Sequence, residues 1–426
     1  MIVIKRVGIY MAVIMHIDAN SAYLSWTATY LLEQGYPIDI RDIPSVISGN
    51  PENRHGIILA KSIPTKKYKI TTGESLFQAR QKCPGLKVYP PDYDLYLRCS
   101  DAMYIILSEY SPSIQRYSVD ECFLDYTFSE HKYGDPLKVA YEIKERIKEE
   151  LGFTVNIGMS SNKLLAKMGS ELEKPDKVHT LFPQEISDKL WPLPVEDLFM
   201  VGRATKEKLN KVNIRTIGDL AKEDPVYLKA LLKSHGLLVW NYANGIDDSL
   251  VTLNSDITQK GLGNSTTIAY DITTAREAYK VILALTERVG MRLRRMKRFA
   301  NVIAIGVKTD SFVRYSHQVK LPIAVNCTGE IYECACRLLD ECWKGEPIRH
   351  IGVSLSELDE FEDPQISIFE KGDLERLKAL EKTLDSIRCK YGERAIIMGT
   401  FANGDVDPVQ GGTNDGDFIM MGGYQQ

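Results

Sequence analysis

Three carboxylates have the residue type and spacing of candidate metal ligands. Asp18 closes the apolar run 12–17, and Asp120 and Glu121 are adjacent in a second apolar region. Runs of this kind predict strands buried in a sheet. Asp18 at the end of one strand, and Asp120 with Glu121 in the turn between two other strands, can therefore meet at one edge of the sheet. Carboxylates that close repel unless cations neutralise them, and hard divalent cations prefer oxygen ligands.

Two such ions, about 3.5–4 Å apart, activate an attacking oxygen and stabilise a leaving phosphate oxygen. The three residues alone leave a simpler interpretation equally open. In that interpretation Asp18 is a helix N-cap, and Asp120 with Glu121 forms a solvated hairpin turn.

The elements that would position these acids follow a β-α-β-β-α-β order in the first half of the chain. This order is that of the split βαβ, ferredoxin-like pattern. The predicted elements are a strand at 12–18, a helix at 21–34, a small polar module at 36–88, a helix at 93–109, a hairpin around 120–121, an amphipathic helix at 137–151, a strand at 153–157 and a helix at 162–172.

The second half predicts a helical module followed by an α+β module. Residues 183–250 are helical throughout, and a polar linker at 252–267 follows. Strands are expected near 302–308 and 314–321, a helix at 374–390 and a strand-like segment at 395–398. The Gly/Asn/Asp-rich tail from residue 402 is predicted to be disordered because it cannot bury a core.

Three sequence blocks resemble those of the Y-family (translesion) DNA polymerases, and among these the DinB/UmuC-like bacterial enzymes most. The blocks are His16–Tyr23, Tyr117–Glu121 and Ile157–Lys167. They occur in the family's order and at about its spacing, and further matches continue to about Phe369. The resemblance therefore covers nearly the whole chain except its ends.

The resemblance implies a multidomain α+β protein with a ferredoxin-like palm, small fingers, an all-helical helix-hairpin-helix thumb and an α+β little finger. The expected boundaries are an N-terminal extension at 1–10, the palm at 11–21 and 89–182, the fingers at 22–88, the thumb at 183–251, the linker at 252–267, the little finger at 268–363, a clamp-binding peptide at 364–370, a C-terminal helix and strand at 371–401 and a tail at 402–426.

It also implies a low-fidelity, template-directed DNA polymerase that adds nucleotides to a primer 3′-OH by two-metal-ion catalysis. No block resembles a proofreading exonuclease. The family's metal ligands fall on Asp18, Asp120 and Glu121, with the backbone carbonyl of Ala19 as a further ligand. The implied cofactor is Mg²⁺, two ions per site, for which Mn²⁺ can substitute.

Four residues correspond to the family's nucleotide contacts: Tyr23, Ser62, Lys66 and Lys174. Tyr23 matches the steric gate that excludes a ribose 2′-OH, although a core tyrosine on the first helical turn is the alternative. Lys174 matches the family's triphosphate lysine. Lys66 stands where many members carry arginine, and Ser62 where many carry tyrosine. Ala22 and Asn20 also depart from the usual aromatic and acidic residues.

DNA contacts are predicted in two places. The Val-Gly-Arg turn of a helix-hairpin-helix presents backbone N–H groups to a phosphate, with candidates Gly202, Arg203, Thr205 and Lys206. A helix corner capped by glycine is the alternative. The basic run Arg294, Arg295 and Arg298 adjoins a half-polar sheet, so phosphate contact is preferred there over a solvated helix face.

The segment 365–369 resembles the peptide that binds the bacterial sliding clamp. Gln365 would supply amide hydrogen bonds, and Ile368 with Phe369 would fill an apolar pocket. The implied partners are primer-template DNA, dNTPs and the sliding clamp, and the protein is expected to act as a monomer.

Composition agrees with a multidomain protein that contacts nucleic acid only locally. The chain has 426 residues, 44% of them hydrophobic, and a formal net charge of −4. Between Lys260 and Lys320 twelve Lys/Arg stand against four Asp/Glu. Eight cysteines without a signal peptide predict reduced thiols in the cytoplasm. No apolar run approaches the length of a membrane span.

The sequence leaves two other functions open. A palm-fold nucleotide cyclase also uses two metals and carboxylates, but has no use for a helix-hairpin-helix, a basic little finger or a clamp peptide. A non-catalytic DNA-binding accessory protein would not need the three intact acids.

Overall fold

A computed structural model describes residues 12–253, 256, 258–360, 374–402 and 406. The N-terminal elements up to residue 182 are, in chain order, β1 (Ile14–Ala19), α1 (Ala22–Glu33), β2 (Ser45–Ser48), β3 (Ile58–Lys61), α2 (Leu76–Lys82), β4 (Lys87–Tyr89), α3 (Tyr93–Tyr110), β5 (Ile114–Arg116), β6 (Glu121–Asp125), α4 (Glu130–Tyr133), α5 (Pro136–Leu151), β7 (Val155–Ser160), α6 (Lys163–Glu171) and β8 (Val178–Thr180).

A five-stranded sheet in the order β5-β6-β1-β7-β8 forms the palm. β1 lies at its centre and pairs antiparallel with both β6 and β7. One face carries an apolar core that includes Met15, Ile17, Met103 and Ile143, contributed by β1, α3 and α5. The predicted split βαβ arrangement is confirmed. The edge at which β1 ends and β6 begins is where the candidate acids lie.

Residues 36–88, the fingers without the helix α1 that the predicted bounds 22–88 also included, form a smaller module around a three-stranded sheet in the order β3-β2-β4. Ala22 and Trp26 of α1 lie in the palm core. The core of the fingers is small and includes Val46, Ile58, Ile70 and Leu76. A second small cluster, with Leu24 of α1 and Ile47 of β2, joins the fingers to the first helix.

The elements after residue 182 comprise a helical region, an α+β region and a last helix. They are α7 (Arg203–Lys211), α8 (Ile217–Lys222), α9 (Pro225–Leu232), α10 (Ser234–Ala243), β9 (Gly261–Ile272), α11 (Ala275–Arg295), β10 (Phe299–Thr309), β11 (Arg314–Val325), α12 (Thr328–Cys342), β12 (Ile348–Asp359) and α13 (Leu374–Tyr391). Three- to six-residue helical turns occur at Pro51–Asn53, Ile63–Tyr68, Pro183–Glu185, Ile186–Leu190, Val195–Asp197 and Gly399–Phe401.

The thumb helices α7 to α10 share one apolar core with the palm helix α6. That core contains Leu209 and Leu228 of the thumb together with Leu164, Leu165 and Met168 of α6. The helical character predicted for this region is confirmed. Since α6 also packs on the palm sheet, it connects the thumb to the edge at which the candidate acids lie.

The little finger is an antiparallel sheet in the order β11-β10-β12-β9, with α11 and α12 packed against its core. Its first strand begins at Gly261, so residues 261–267 are not the linker that their polar sequence predicted. Along this strand the buried positions alternate, but two of them are Asn264 and Thr266. Polar residues at buried positions hid the strand period from sequence reasoning.

The C-terminal helix α13 agrees with its predicted bounds, but the strand-like segment at 395–398 is not a strand. Phe401 and Val406 are both buried in the little-finger core. The tail therefore packs at residue 406, contrary to the prediction that nothing beyond residue 402 joins a core. The N-terminal extension, the clamp-like peptide and the rest of the tail lie outside the described residues.

Within the described ranges, none of the helices combines the length and apolar character needed to cross a bilayer. All eight cysteines are free.

Candidate active site

Strand register brings the three candidate acids to one edge of the palm sheet. Asp18 lies directly opposite Glu121 in the antiparallel pair of β1 and β6. One residue further, the backbone N–H of Ala19 donates to the carbonyl of Asp120 at 2.9 Å. Asp18 is 6% exposed. The strand register therefore places the backbone positions of the three acids at one edge of the sheet, as the strand patterns predicted.

The helix α6 covers the sheet face on which His16 and Asp18 lie. Side chains two residues apart on a strand point to the same face, and α6 reaches that face because Gly158 stands opposite His16 on β7. A Cβ atom at Gly158 would lie 1.9 Å from the carbonyl oxygen of Ala166 and 2.3 Å from the amide nitrogen of Ser170. Only glycine permits this close approach, which brings Lys167 to Glu121 and Ser170 to His16.

Lys174 forms the ion pair to Asp18. Its Nζ lies 2.5 Å from Oδ2 of Asp18 and 2.9 Å from Oε1 of Glu171. Burial nevertheless raises the pKa of Asp18 to about 7, against the lowering effect of the Lys174 charge. One ammonium group thus compensates the buried carboxylate only in part.

Glu121 has two donors on the same oxygen. Lys167 Nζ lies 2.6 Å and His16 Nε2 3.3 Å from Oε2 of Glu121. Burial opposes ionisation of Glu121, but these two neighbours outweigh it and lower its pKa to about 2. Burial lowers the pKa of His16, although its contact with Glu121 acts in the opposite direction.

Asp120 has a hydroxyl donor and no ammonium partner among the described contacts. The Ser118 hydroxyl donates to Oδ1 at 2.6 Å, while burial raises the pKa of Asp120. Among the described residues, no three His, Cys, Asp or Glu side chains converge closely enough to hold a metal ion. The reason is visible in the pairs above: Asp18 faces Lys174, and Glu121 faces Lys167.

The donor set nevertheless has the chemistry of a hard-cation site. Three carboxylates are largely buried at one edge, and the pKa values of Asp18 and Asp120 are raised because burial exceeds the compensation that lysines provide. Divalent cations with oxygen ligands relieve this kind of imbalance. Binding would require the Asp18 carboxylate to exchange Lys174 for the cation.

Tyr23 lies in an aromatic stack beside these acids. Its ring is parallel to Tyr96, with centroids 4.3 Å apart and an interplanar angle of 6°, and it meets Tyr93 edge-on. Burial, followed by the charge of Asp120, raises the pKa of Tyr23 to about 12. The ring is half-buried, so both predicted roles, gate and core packing, fit its position in part.

The fingers residues differ in what they offer a nucleotide. Lys66 is exposed on the turn 63–68. Ser62 is 2% exposed, and its hydroxyl donates to the Ile43 carbonyl and accepts from the Ser45 amide. The Ser62 side chain thus stabilises the fingers internally, which departs from the predicted nucleotide contact.

In the thumb, Gly202 caps the N-terminus of α7 and is exposed, with open space where a Cβ would lie. The side chains around it are paired with acids: Arg203 with Glu207 at 3.0 Å and Lys206 with Glu196 at 2.6 Å. Thr205 is half-buried. The backbone N–H groups, rather than these cations, are what the turn presents.

The predicted DNA contact of Arg294 is corrected by the structure. Its guanidinium is largely buried and pairs with Asp385 at 2.7 Å and Glu381 at 3.1 Å, both on α13. Arg298 pairs with Glu360, and Arg295 is exposed. Arg294 therefore helps to hold the C-terminal helix, and nothing in the sequence indicated that Glu381 and Asp385 are its partners.

A basic depression of about 690 Å³ opens on the sheet of the little finger, lined by Lys308, Arg314 and His350 among others. Burial, together with the charges of Arg314 and Arg349, lowers the pKa of Lys308. Cations are thus crowded on this face. Lys308 and Arg314 could be recognised in the sequence as cations on predicted strands. The DNA contacts, however, were predicted for the basic run on the preceding helix.

Sequence reasoning missed His16 and Ser170. His16 precedes Asp18 by two residues on a predicted strand, which was sufficient signal to place both on one face. Ser170 follows Lys167 by three residues on a helix, and carried no signal of its own.

Comparison with known proteins identifies the family. The impB/mucB/samB family model matches residues 17–171, and the model of its C-terminal domain matches residues 259–368. DNA polymerase IV of Clostridium acetobutylicum is 50% identical over 385 residues, covering 90% of this chain and 97% of that protein. DNA polymerase IV of Acetivibrio thermocellus is 38% identical over 392 residues, covering 91% and 96%.

The fold is that of solved Y-family polymerases. A Y-family DNA polymerase chimera of Dbh and Dpo4 superposes with a TM-score of 0.70 at 19% identity, covering 81% of this chain and 99% of that one. An insertion ternary complex of Dbh DNA polymerase gives a TM-score of 0.58 at 18% identity. With the sequence matches, these findings show that the chain belongs to the impB/mucB/samB family and is a DinB-like, Y-family translesion DNA polymerase.

Proposed function

We propose that Asp18, Asp120 and Glu121, with the carbonyl of Ala19, bind two Mg²⁺ ions and that this edge of the palm performs nucleotidyl transfer to a primer 3′-OH. The relatives imply the use of a divalent metal. Mg²⁺ suits the proposed site because it takes few protein ligands and completes its coordination with phosphate and water. Mn²⁺ can replace it.

The observation that carries the proposal is the pairing of Asp18 with Glu121 across β1 and β6, beside Asp120. When bound, the ions activate the primer hydroxyl and neutralise charge on the triphosphate. The protein contributes the rigid edge that holds three oxygen donors in place. A site on adjacent strands is positioned more exactly than one on loops.

Lys174 has a second role in this proposal. It is 34% exposed on its side chain while paired to Asp18, so it lies between the buried edge and the outside. Once a cation replaces it at Asp18, the ammonium can pair with the incoming triphosphate. Lys66, exposed in the fingers, offers a further point charge, in contrast to the bidentate fork of an arginine.

Tyr23 selects deoxyribose in this proposal. Its stack on Tyr96 holds the ring in one plane beside Asp120. A ribose 2′-OH would therefore clash sterically with the ring. The fingers module has a small core, and its residue Ile63 is 57% exposed. A fingers module this small encloses the newly forming base pair only loosely, so it selects weakly against mispaired nucleotides.

Primer-template DNA is bound through phosphates. The open N-terminus of α7 at Gly202 can donate backbone N–H groups to one phosphate. The basic face with Lys308 and Arg314 can follow a duplex backbone without reading sequence. The segment with Gln365, Ile368 and Phe369 binds the sliding clamp, and the monomeric enzyme works on DNA in the cytoplasm.

Family membership leaves no support for the cyclase or for the non-catalytic accessory protein. A nucleotide cyclase would make no use of the helix N-terminus at Gly202 or of the cationic face of the little finger.

Primer extension with Mg²⁺ and dNTPs tests the assignment. Asp120→Ala should abolish extension while primer-template affinity stays within about twofold, because the hairpin does not need this carboxylate to form. Asp125→Asn is the matched control: Asp125 ends the strand that begins directly after Asp120, and its carboxylate accepts a hydrogen bond from the amide of Thr127. The control should extend primers at close to the wild-type rate. Substantial extension by Asp120→Ala would refute the assignment.

A further inference from the structure

We propose that Ser170 and His16 form a buried hydrogen-bond relay that positions Glu121 for cation binding, so that both are positioning residues of the polymerase site. The inference rests on the proposed function, since it takes Glu121 as a metal ligand. It adds two residues that do not touch substrate.

The relay runs from α6 through β1 to β6. His16 Nδ1 lies 2.8 Å from the Ser170 hydroxyl, and His16 Nε2 lies 3.3 Å from Oε2 of Glu121. His16 and Ser170 are both 0% exposed. The imidazole also packs against Phe123, with ring centroids 4.6 Å apart. The ring is therefore enclosed, and its two nitrogens have two defined partners.

The direction of the hydrogen bonds follows from the chemistry of the partners. A carboxylate only accepts, so Nε2 of His16 must carry the hydrogen that faces Glu121. The Ser170 hydroxyl donates to the Lys167 carbonyl at 2.8 Å, and its oxygen lies 2.8 Å from Nδ1 of His16. The contact with Nδ1 holds the ring in the orientation that presents Nε2 to Glu121.

The consequence for Glu121 is a fixed carboxylate plane. His16 and Lys167 both hold Oε2, which leaves Oε1 as the oxygen that can face a cation. Lys167 has a long side chain with several rotatable bonds, whereas the His16 ring has two and is packed on Phe123. The ring therefore sets the orientation, and Lys167 adds charge.

Groups behind metal ligands act in this way in general. Partners that orient a ligand typically account for 10- to 100-fold in metal affinity. The close approach at Gly158 is what brings the Ser170 end of the relay within reach of His16. The contact between His16 and Ser170 therefore depends on the glycine at position 158.

The test uses the full-length protein with primer-template DNA and follows Mn²⁺ binding by electron paramagnetic resonance of the free ion. Ser170→Ala should weaken Mn²⁺ binding by about 10-fold. The Mg²⁺ concentration for half-maximal nucleotide insertion should rise in parallel, while kcat at saturating Mg²⁺ stays within about twofold.

Ser160→Ala is the matched control. Ser160 is also fully buried, on β7 of the same sheet, and its hydroxyl donates to the Leu181 carbonyl, away from the acids. The control loses one buried hydrogen bond and should bind Mn²⁺ like the wild type. Equal weakening in both variants, or wild-type binding by Ser170→Ala, would overturn the relay.

A second pair of variants covers the case in which Ser170→Ala fails to fold. His16→Gln keeps an amide donor near the position of Nε2 and should retain more Mn²⁺ affinity than His16→Leu, which keeps none. Equal affinities would refute the role of Nε2. Asp120→Ala separates the two proposals: if it binds Mn²⁺ like the wild type, the metal assignment itself fails.

Discussion

Arg54 of the fingers forms a bidentate ion pair with Asp271 of the little finger. Nη1 of Arg54 lies 2.5 Å from Oδ1 and Nη2 lies 3.1 Å from Oδ2, across 217 residues of sequence. Beside it, the imidazole of His55 lies 3.2 Å from the carbonyl oxygen of Thr267. These contacts join the fingers directly to the little finger.

Arg54→Ala should therefore loosen the fingers from the little finger without unfolding either. The pair is partly exposed, with side-chain exposures of 24% and 35%, and such pairs contribute about 0.2–1 kcal/mol. The thermal midpoint should hardly move. Fluorescence energy transfer between labels on the two modules should show a wider distance distribution. The charge swap Arg54→Asp with Asp271→Arg should narrow it again, and an unchanged distribution in Arg54→Ala would mean that other contacts set the geometry.

Tyr23→Ala should raise ribonucleotide insertion relative to deoxyribonucleotide insertion by about 10²-fold or more. Removal of the ring that stacks on Tyr96 opens the space for a 2′-OH; each tenfold corresponds to about 1.4 kcal/mol of discrimination. Single-nucleotide kinetics with both sugars measure the ratio. Tyr23→Phe keeps the ring and should keep the discrimination. If Tyr23→Ala discriminates as the wild type does, the tyrosine is core packing only.

Neutralising Lys308 and Arg314 together should flatten the salt dependence of DNA binding. Each lost phosphate contact reduces the slope of log K against log salt by about 0.9, so the pair should account for up to about 1.8. Fluorescence anisotropy of labelled duplex at several salt concentrations gives the slope. An unaltered slope would assign the duplex to another face.

Arg294→Ala serves as the opposite control in that experiment. It should leave the slope unchanged and lower the free energy of unfolding by on the order of 3 kcal/mol, because Glu381 and Asp385 would lose their largely buried partner. A flatter slope with unchanged stability would restore Arg294 as a DNA contact.

Alanine at Gln365, Ile368 and Phe369 should remove binding to the bacterial sliding clamp and spare synthesis on short primers. A docking peptide loses only its contacts when it is truncated, whereas core residues also lower the thermal midpoint by several degrees. Clamp pull-down and thermal unfolding therefore distinguish the two roles. Ser367→Ala lies in the same segment and should leave both measurements unchanged. Retained clamp binding with a lowered midpoint would reject the docking role.

The sequence by itself determined the palm and its acid edge. The apolar run before Asp18, the hairpin signal at Asp120 and the helix between them are local patterns, and β-α-β-β-α-β order leaves few ways to assemble them. The bounds of α13 were likewise readable, because a period of 3.6 residues does not depend on what the helix packs against.

Only the tertiary structure decided which charges are paired. Arg294 meets Glu381 and Asp385 across 87 and 91 residues, and His16 meets Ser170 across 154. The little-finger strand that starts at Gly261 buries Asn264 and Thr266. A hydrophobic pattern would predict that these polar residues face solvent. In each case a polar group is stabilised by a partner distant in sequence, and hydrophobic periodicity carries no information about such partners.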